Sequence, residues 1–370
     1  MEDRVYIVIM NLFFYMIMLI LQIFMPKVTR KNIYFGIRIP EEEVNSFEVK
    51  NIYKNYVIEN IIVSIPSIAL LSYWAYITDN IVVTASLPIF IYIGILFIVY
   101  LRANSKMKKL KEVKSWEKPK EEVVVDIKFS KEKIKAGNVS SLWFLIPVGI
   151  ALLNLVVGLN KIPTLPDKIP TNWDLQGNIT GYMDKTKFAW FMPLTQLGTA
   201  GILFFVYKVI GWSKQEISSK NPEESVKRNI IFRRVWSIYT LVMGIVLNII
   251  MTLASFYSLG IIGGSVNTIT NLFFIFTILI IVASIIISIK VGQGGSRLKF
   301  NSENGYEEMN RDDDEFWKLG NTIYYNPDDP TLFIEKRFGV GWTVNVGRPL
   351  GMLFMILPFI IVIITLIMVK

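Results

Sequence analysis

The sequence predicts an all-α polytopic membrane protein with about eight transmembrane helices. Of its 370 residues, 52% are hydrophobic and 13% aromatic, and the mean hydropathy is +0.45, which is high for a soluble domain. Several apolar runs also reach the roughly 20 residues that a helix needs to cross a bilayer core. Two polar parts complete the predicted architecture: an extracytoplasmic Pro/Gly-rich loop and a small cytoplasmic β-rich insertion near the C-terminus.

Eight apolar segments are predicted to be transmembrane helices. The first follows the acidic residues Glu2 and Asp3 and ends at Pro26 and Lys27. A cleaved signal peptide has a basic start and a small-residue exit, so we expect this first helix to be retained. The predicted spans are 5–25, 56–76, 81–101, 141–159, 189–210, 235–256, 271–289 and 350–368.

The distribution of Lys and Arg predicts that both termini lie outside the cytoplasm. With that orientation, four segments face the cytoplasm and hold 33 of the 39 basic residues: 27–55, 102–140, 208–234 and 290–349. Basic residues that flank spans are retained on the cytoplasmic side, which disfavours the opposite orientation. The net charge of +9 is then mostly a topological signal, and we expect no nucleic-acid partner.

Composition shifts divide the chain into six segments. They are an N-terminal three-helix membrane region (1–102), a basic cytoplasmic linker (103–140), a membrane domain (141–211) with an outer loop (161–188), a two-helix membrane region (212–291), a small cytoplasmic domain (292–349) and a last helix (350–370).

The chain contains neither Cys nor His. Their absence excludes disulfides, a thiolate nucleophile, a Cys/His zinc site and any triad with an imidazole base. The acidic groups at 312–314 and 328–329 lack the spacing of a calcium loop, so we interpret them as helix-cap and turn residues. We therefore expect no enzyme activity, no metal and no cofactor.

Short elements are predicted in the cytoplasmic segments. Pro40 and the three Glu residues after it favour a helix N-terminus that continues toward Tyr56, although a plain connector is an alternative. The stretch 123–129 is typical of a strand. The acidic residues before Phe316 indicate a short capped helix that ends at Gly320.

A β-hairpin is predicted in the C-terminal cytoplasmic domain. Segments 322–325 and 332–335 flank an Asn-Pro-Asp-Asp-Pro loop, which is a typical hairpin pattern. Segment 339–345 could add a third strand.

The outer loop holds the first set of candidate ligand or partner residues. Three near-regular prolines predict an extended start, and Thr180-Gly181-Tyr182 indicates a turn. Trp173 and Tyr182 suit either the interfacial aromatic belt or a ligand contact, and the sequence leaves both roles open. The candidates are Pro166, Pro170, Trp173, Asp174, Gly177, Gly181, Tyr182 and Lys185.

The same loop carries a family resemblance. The pattern Leu165-Pro166, Ile169-Pro170, Trp173, Gly177, Gly181-Tyr182 and Lys185, followed directly by a span, resembles the membrane domain of SdpI-type toxin immunity proteins and their relatives, the domain of unknown function 1648. The similarity covers residues 145–191.

A second set of candidates lies in the cytoplasmic segments. Gly36-x-Arg38-x-Pro40 is similar to an element of the same relatives, and 324–345 resembles a C-terminal domain of unknown function, 5808, found in longer members. The candidate cytoplasmic residues are Gly36, Arg38, Pro40, Tyr325, Asn326, Pro327, Asp329, Gly341, Trp342 and Asn345.

The resemblance implies a bacterial cell-membrane protein that senses, or gives immunity to, a secreted peptide or toxin and signals to a cytoplasmic regulator. The alternative is a membrane transporter or a transporter accessory subunit. Carriers usually place ionisable residues near the bilayer centre. The predicted spans carry Asn154, Gln196 and Asn248 there instead, and hydrogen bonds between helices explain these equally well.

Overall fold

The structure is a computed structural model that describes residues 2–116, 139–173, 178–214, 222–298 and 313–368. The predicted strand at 123–129, the acidic residue Asp312 and the loop candidates Asp174 and Gly177 lie outside the described residues.

Helices dominate the described residues. They are α1 (Glu2–Val28), α2 (Phe47–Ile77), α3 (Ile81–Val113), α4 (Leu145–Lys161), α5 (Lys185–Trp212), α6 (Pro222–Ser258), α7 (Val266–Val291) and α8 (Pro349–Met368). Helices α1 to α7 are long and apolar enough to cross a membrane, which supports a multi-pass membrane protein. In α8 the described apolar part, Pro349–Ile360, is shorter than a span, so the eighth crossing stays a prediction.

The chain forms two compact units. Unit 1 comprises Met1–Asp126, Ser213–Arg228 and Lys290–Lys370, and unit 2 comprises Ile127–Trp212 and Asn229–Ile289.

Helices α1, α2 and α3 of unit 1 pack through aromatic and polar side chains. The rings of Tyr15 and Tyr92 meet edge to face with centroids 4.9 Å apart, and the Tyr92 hydroxyl donates to Ser64 Oγ at 2.9 Å. The Asn11 amide donates to the Thr84 carbonyl at 2.9 Å. Such hydrogen bonds satisfy polar groups that lipid cannot.

Three small hairpins lie between the helices of unit 1. Strand β1 (Ile33–Tyr34) pairs with β2 (Ile37–Arg38) ahead of α2. In the C-terminal segment β5 (Trp317–Lys318) pairs with β6 (Ile323–Tyr324), and β7 (Phe333–Glu335) pairs with β8 (Trp342–Val344); all three pairs are antiparallel.

The predicted pairing of 322–325 with 332–335 is therefore wrong. The Asn-Pro-Asp-Asp-Pro loop folds locally instead, because Asn326 Oδ1 accepts hydrogen bonds from the backbone N–H groups of Asp328 and Asp329. The loop thus joins two hairpins. The predicted third strand is present as β8, which pairs with β7.

Two other local predictions need correction. The helix expected from Pro40 to Tyr56 is broken: Glu41–Asn45 forms a 3-10 turn and α2 begins at Phe47. The capped helix expected before Gly320 is a single 3-10 turn, Asp314–Phe316, which runs directly into β5. The acidic side chains there bind basic residues from elsewhere in unit 1.

In unit 2 a two-stranded hairpin connects α4 to α5. Strand β3 (Lys168–Trp173) pairs antiparallel with β4 (Ile179–Asp184). The predicted turn at 180–182 is wrong, because these residues lie within β4. The predicted extended start is also wrong at Pro163, which is the second residue of a 3-10 turn, Ile162–Thr164, where its missing N–H needs no partner.

A buried polar network links three helices of unit 2. The Asn154 amide donates to Gln196 Oε1 at 2.8 Å, and the Gln196 amide donates to Thr252 Oγ1 at 2.7 Å. Ser255 Oγ donates to Asn154 Oδ1 at 3.0 Å. These contacts confirm that hydrogen bonds between helices engage the Asn154 and Gln196 side chains, whereas the Asn248 side-chain amide donates within its own helix, to the Gly244 carbonyl.

Gln196→Leu should lower the stability of unit 2 by about 1 kcal/mol, because it removes the central member of this network. The neighbouring Thr195 bonds only within its own helix and is exposed, so Thr195→Val is the matched control and should be neutral. The measurement is the melting temperature of the purified full chain in detergent. Equal changes in the melting temperature for the two variants would contradict the assignment of Gln196 as the centre of this network.

Candidate functional site

The turn between β1 and β2 has an unusual backbone. Phe35 and Gly36 have φ values of +50° and +80°, as in a type I′ turn. An aromatic residue pays a conformational penalty at positive φ. Burial offsets it here: Phe35 is 0% exposed and packs edge to face against Tyr56 with centroids 4.8 Å apart.

Helix α3 binds this turn together with the turn between β5 and β6. The Tyr100 hydroxyl lies 2.6 Å from the Gly320 carbonyl oxygen and 3.2 Å from that of Phe35. The Asn104 amide donates to the Phe35 carbonyl at 2.8 Å and to Asn321 Oδ1 at 3.3 Å. We name this contact the turn junction, formed by Phe35, Gly36, Gly320, Asn321, Tyr100 and Asn104.

A buried ion-pair cluster lies beside the turn junction. It consists of Arg38, Lys111, Asp313, Asp314 and Arg337. Arg337 binds both carboxylates and donates to the Gly36 carbonyl at 3.2 Å. Lys111 Nζ lies 2.7 Å from Asp314 Oδ2, and Arg38 Nη2 lies 3.4 Å from Asp313 Oδ1. The cluster therefore joins the Gly36-x-Arg38 element, α3 and the C-terminal segment.

A second ion pair continues the cluster. Arg30 donates hydrogen bonds from Nε and Nη2 to Glu335 Oε2, at 2.9 and 2.7 Å. The cavity between this pair and the cluster has a volume of about 40 Å³. That is room for a few water molecules, far below the several hundred Å³ of a typical small-molecule site. The arrangement fits a structural contact better than a catalytic one.

The Asn326, Asp329 and Asn345 candidates form one network. The Asn345 amide donates to the Asn326 carbonyl at 2.7 Å, and Asn345 Oδ1 accepts from the Asn326 N–H at 3.0 Å. Asp329 Oδ2 accepts from Lys214 Nζ at 2.8 Å. Burial raises the pKa of the Asp329 carboxyl. Hydrogen bonds from Lys214 and Thr331 lower the pKa by a larger amount, so the net pKa is below its ordinary value. This contact stabilises unit 1 at neutral pH and is lost as the pH falls through that lowered pKa.

The remaining cytoplasmic candidates lie around the same segment. The Gly341 N–H donates to Gln293 Oε1 at 2.7 Å, and the Gln293 amide returns a bond to the Gly341 carbonyl at 3.0 Å. Trp342 pairs with Glu335 across β7 and β8, and Tyr325 is exposed. Pro40 accepts from the Glu43 N–H, and the Pro327 carbonyl lies 3.5 Å from Arg348 Nη1.

The outer-loop candidates are divided between anchored and exposed positions. Ile169, Phe188 and Leu259 form the apolar cluster that holds the hairpin, and the ring centroid of Trp173 lies 5.7 Å from that of Tyr257. Tyr182, opposite Pro170, is 57% exposed.

The other loop candidates have structural contacts. Lys185 Nζ lies 3.1 Å from Asp167 and 3.3 Å from the Leu165 carbonyl. Gly181 lies opposite Asn172, close enough that a side chain would touch it. Pro166 is exposed just before β3.

Sequence reasoning missed most of the ion-pair cluster and the α3 side of the turn junction. One signal was present: Tyr100, Asn104, Met107 and Lys111 follow helical spacing, so they share one face of α3, and all four are buried. Within the described ranges, no group of three or more acidic side chains is placed to hold a metal ion.

Two family models match parts of the chain. Residues 149–197 match a domain of unknown function, DUF1648, and residues 327–352 match a family of unknown function, DUF5808. The first match contains the hairpin of β3 and β4, and the second contains Asp329 and Asn345 and begins directly after Asn326. No curated protein and no solved structure matched the chain. These matches support the two resemblances to domains of unknown function that the sequence indicated at 145–191 and 324–345.

Proposed function

We propose that the protein is an SdpI-like sensor or immunity protein of a bacterial plasma membrane. In this proposal the hairpin of β3 and β4 faces outward and binds a secreted peptide or toxin. The C-terminal hairpins face the cytoplasm and contact a regulator there. The proposal rests on the resemblance, on the Lys/Arg distribution, and on the shape of the outer hairpin.

The exposed side of β4 is the observation that carries the proposal. In the part of the chain that the structure describes, this sheet has two strands, so β4 has one edge that pairs with no other strand. An extended peptide can add to such an edge through main-chain hydrogen bonds, with side chains supplying specificity. Ile179 and Tyr182, both exposed on β4, supply apolar and aromatic contact area at this edge.

The cytoplasmic half of the proposal rests on a second exposed surface. Leu319 and Tyr325 are 55% and 46% exposed, although they belong to the segment that the ion-pair cluster holds in place. Large apolar side chains on a rigid extramembrane surface are typical of a partner contact.

Tyr182→Ala should reduce protection of the host at least tenfold, because it removes an exposed aromatic contact without touching the buried anchor of the hairpin. The measurement is survival of a deletion strain, complemented with each variant, after challenge with the peptide fraction of its own spent medium. Tyr76→Ala is the matched control, since Tyr76 is also an exposed tyrosine near the end of a span.

The control separates the two roles that the sequence left open for Tyr182. If Tyr182 serves only the aromatic belt, both variants should lower the amount of inserted protein and protection should follow that amount. If it contacts a ligand, Tyr182→Ala alone loses protection at normal membrane levels. Full protection by an inserted protein that lacks 163–187 would refute the outward sensor.

Transport remains a second candidate because of one buried atom. Asn248 is 0% exposed, and its Oδ1 accepts no hydrogen bond from the described residues. An unsatisfied acceptor within a span is costly and can mark a substrate path. A saturable substrate flux into liposomes that contain the protein, absent from empty liposomes, would favour transport over sensing.

A further inference from the structure

A larger cavity in unit 1 lies where α1 ends and α2 begins. Its volume is about 380 Å³, within the range of small-molecule sites and far larger than the cavity at the ion-pair cluster. The charged side chains that line it are Lys27, Arg30, Lys31, Lys50, Arg297 and Glu41. Five of these six are cationic, so the cavity favours an anion even though Arg30 is bound to Glu335.

The cavity combines this charge with aromatic walls. Tyr34 and Tyr53 line it, and Lys27 Nζ lies 4.1 Å from the ring centroid of Tyr53. The Tyr53 hydroxyl donates to the Ile23 carbonyl at 3.2 Å, which fixes the ring. A cation over an aromatic face is held in place, so Lys27 is positioned before any anion arrives.

The cavity lies at the depth of lipid headgroups. Helix α1 ends and α2 starts on the same face of the membrane, and Lys27 is the first cation after the long apolar run of α1. Phe24, three residues before Lys27 on the apolar side of the cavity, is 50% exposed. Acyl chains can therefore lie beside this ring while a headgroup enters the cavity.

We propose that this cavity binds the phosphate group of an anionic membrane lipid such as phosphatidylglycerol. Lys27, Lys31 and Lys50 surround the phosphate, and the exposed Phe24 contacts the acyl chains. Free phosphate shares the charge but lacks the chains, which is why the lipid is the favoured occupant. The inference does not depend on the proposed function.

The test is native mass spectrometry of the full chain in detergent with phosphatidylglycerol, phosphatidylcholine or inorganic phosphate. The triple variant Lys27→Gln, Lys31→Gln, Lys50→Gln should bind phosphatidylglycerol about a hundredfold more weakly, because each lysine near a membrane surface contributes roughly fivefold. The matched control neutralises three exposed lysines elsewhere, Lys161→Gln, Lys168→Gln and Lys187→Gln, and should bind as the parent does.

A single variant is expected to raise the affinity for phosphatidylglycerol instead of lowering it. Glu41 Oε1 lies 3.1 Å from Lys31 Nζ and competes with the phosphate for that lysine, so Glu41→Gln should increase phosphatidylglycerol affinity severalfold. A gain of binding cannot arise from misfolding. Equal binding of the two lipids, equal losses in both triple variants, or displacement of the lipid by an equal concentration of inorganic phosphate would each overturn the lipid site.

Discussion

Arg337→Ala should destabilise unit 1 by about 3 to 5 kcal/mol, the range measured when one partner of a buried ion pair is removed. The guanidinium binds Asp313 and Asp314 and lies over the Trp317 ring at 5.0 Å. Without it, two largely buried carboxylates lose the guanidinium that binds both of them, while Arg38 stays beside Asp313 and Lys111 beside Asp314. The measurement is the melting temperature of the full chain in detergent, with unfolding monitored by tryptophan fluorescence.

Two further variants make this prediction specific. Arg348 is an exposed arginine of the same segment, so Arg348→Ala should change stability by less than about 0.5 kcal/mol. The double variant Arg337→Ala, Asp313→Asn should recover part of the loss, because it removes a buried negative charge together with its partner. If the double variant is no more stable than Arg337→Ala, the charges are not coupled as described.

The sequence predicted the membrane helices well because their signal is local. The run that ends before Pro26 and Lys27 identifies α1 without knowledge of any other segment, since an uninterrupted apolar stretch already determines where a helix can cross lipid. The boundaries were less accurate. Helix α2 begins at Phe47, nine residues before the predicted span, because helices continue past the lipid and the hydropathy pattern marks only the apolar part.

The hairpins of unit 1 show where local patterns fail. Strand β6 pairs with β5, and β7 with β8, although the intervening loop carries a typical hairpin signal. Asn326 and Asn345 decide this outcome, because their side chains fold the loop and bind it to the residues after β8. A pattern of turn residues predicts that the chain turns, but strand pairing depends on partners that the turn does not specify.

The candidate site was predicted in pieces. Gly36, Arg38 and the C-terminal candidates were singled out separately, and the structure brings Gly36 and Arg38 together with Arg337 in unit 1. Nothing in one sequence reports that contact, since residues about 300 positions apart leave no periodic trace. The acidic residues at 313 and 314 were interpreted as caps for the same reason: their true partners lie on distant elements.

Gly36→Ala should lower the stability of unit 1 by about 2 to 5 kcal/mol, because two penalties add. The backbone has φ of +80°, where a Cβ costs about 1 to 2 kcal/mol. The new methyl group would also lie 2.7 Å from Asn321 Cβ and 2.8 Å from the Tyr100 hydroxyl oxygen. Both turns are packed against α3 and have little room to move away from the new methyl group. We therefore expect the contacts of the turn junction to be lost.

Three comparisons separate these penalties in the same melting experiment. Gly94, in the ordinary backbone of α3, has no atom within 4 Å of an added Cβ, so Gly94→Ala should be neutral or slightly stabilising. Gly341 has φ of +123° and the same open space, so Gly341→Ala reports the backbone penalty without the clash. Asn321→Gly removes the nearest clashing atom and should restore part of the stability of Gly36→Ala. If it restores none, the turns do not meet as the structure shows and the cost at Gly36 arises from the backbone alone.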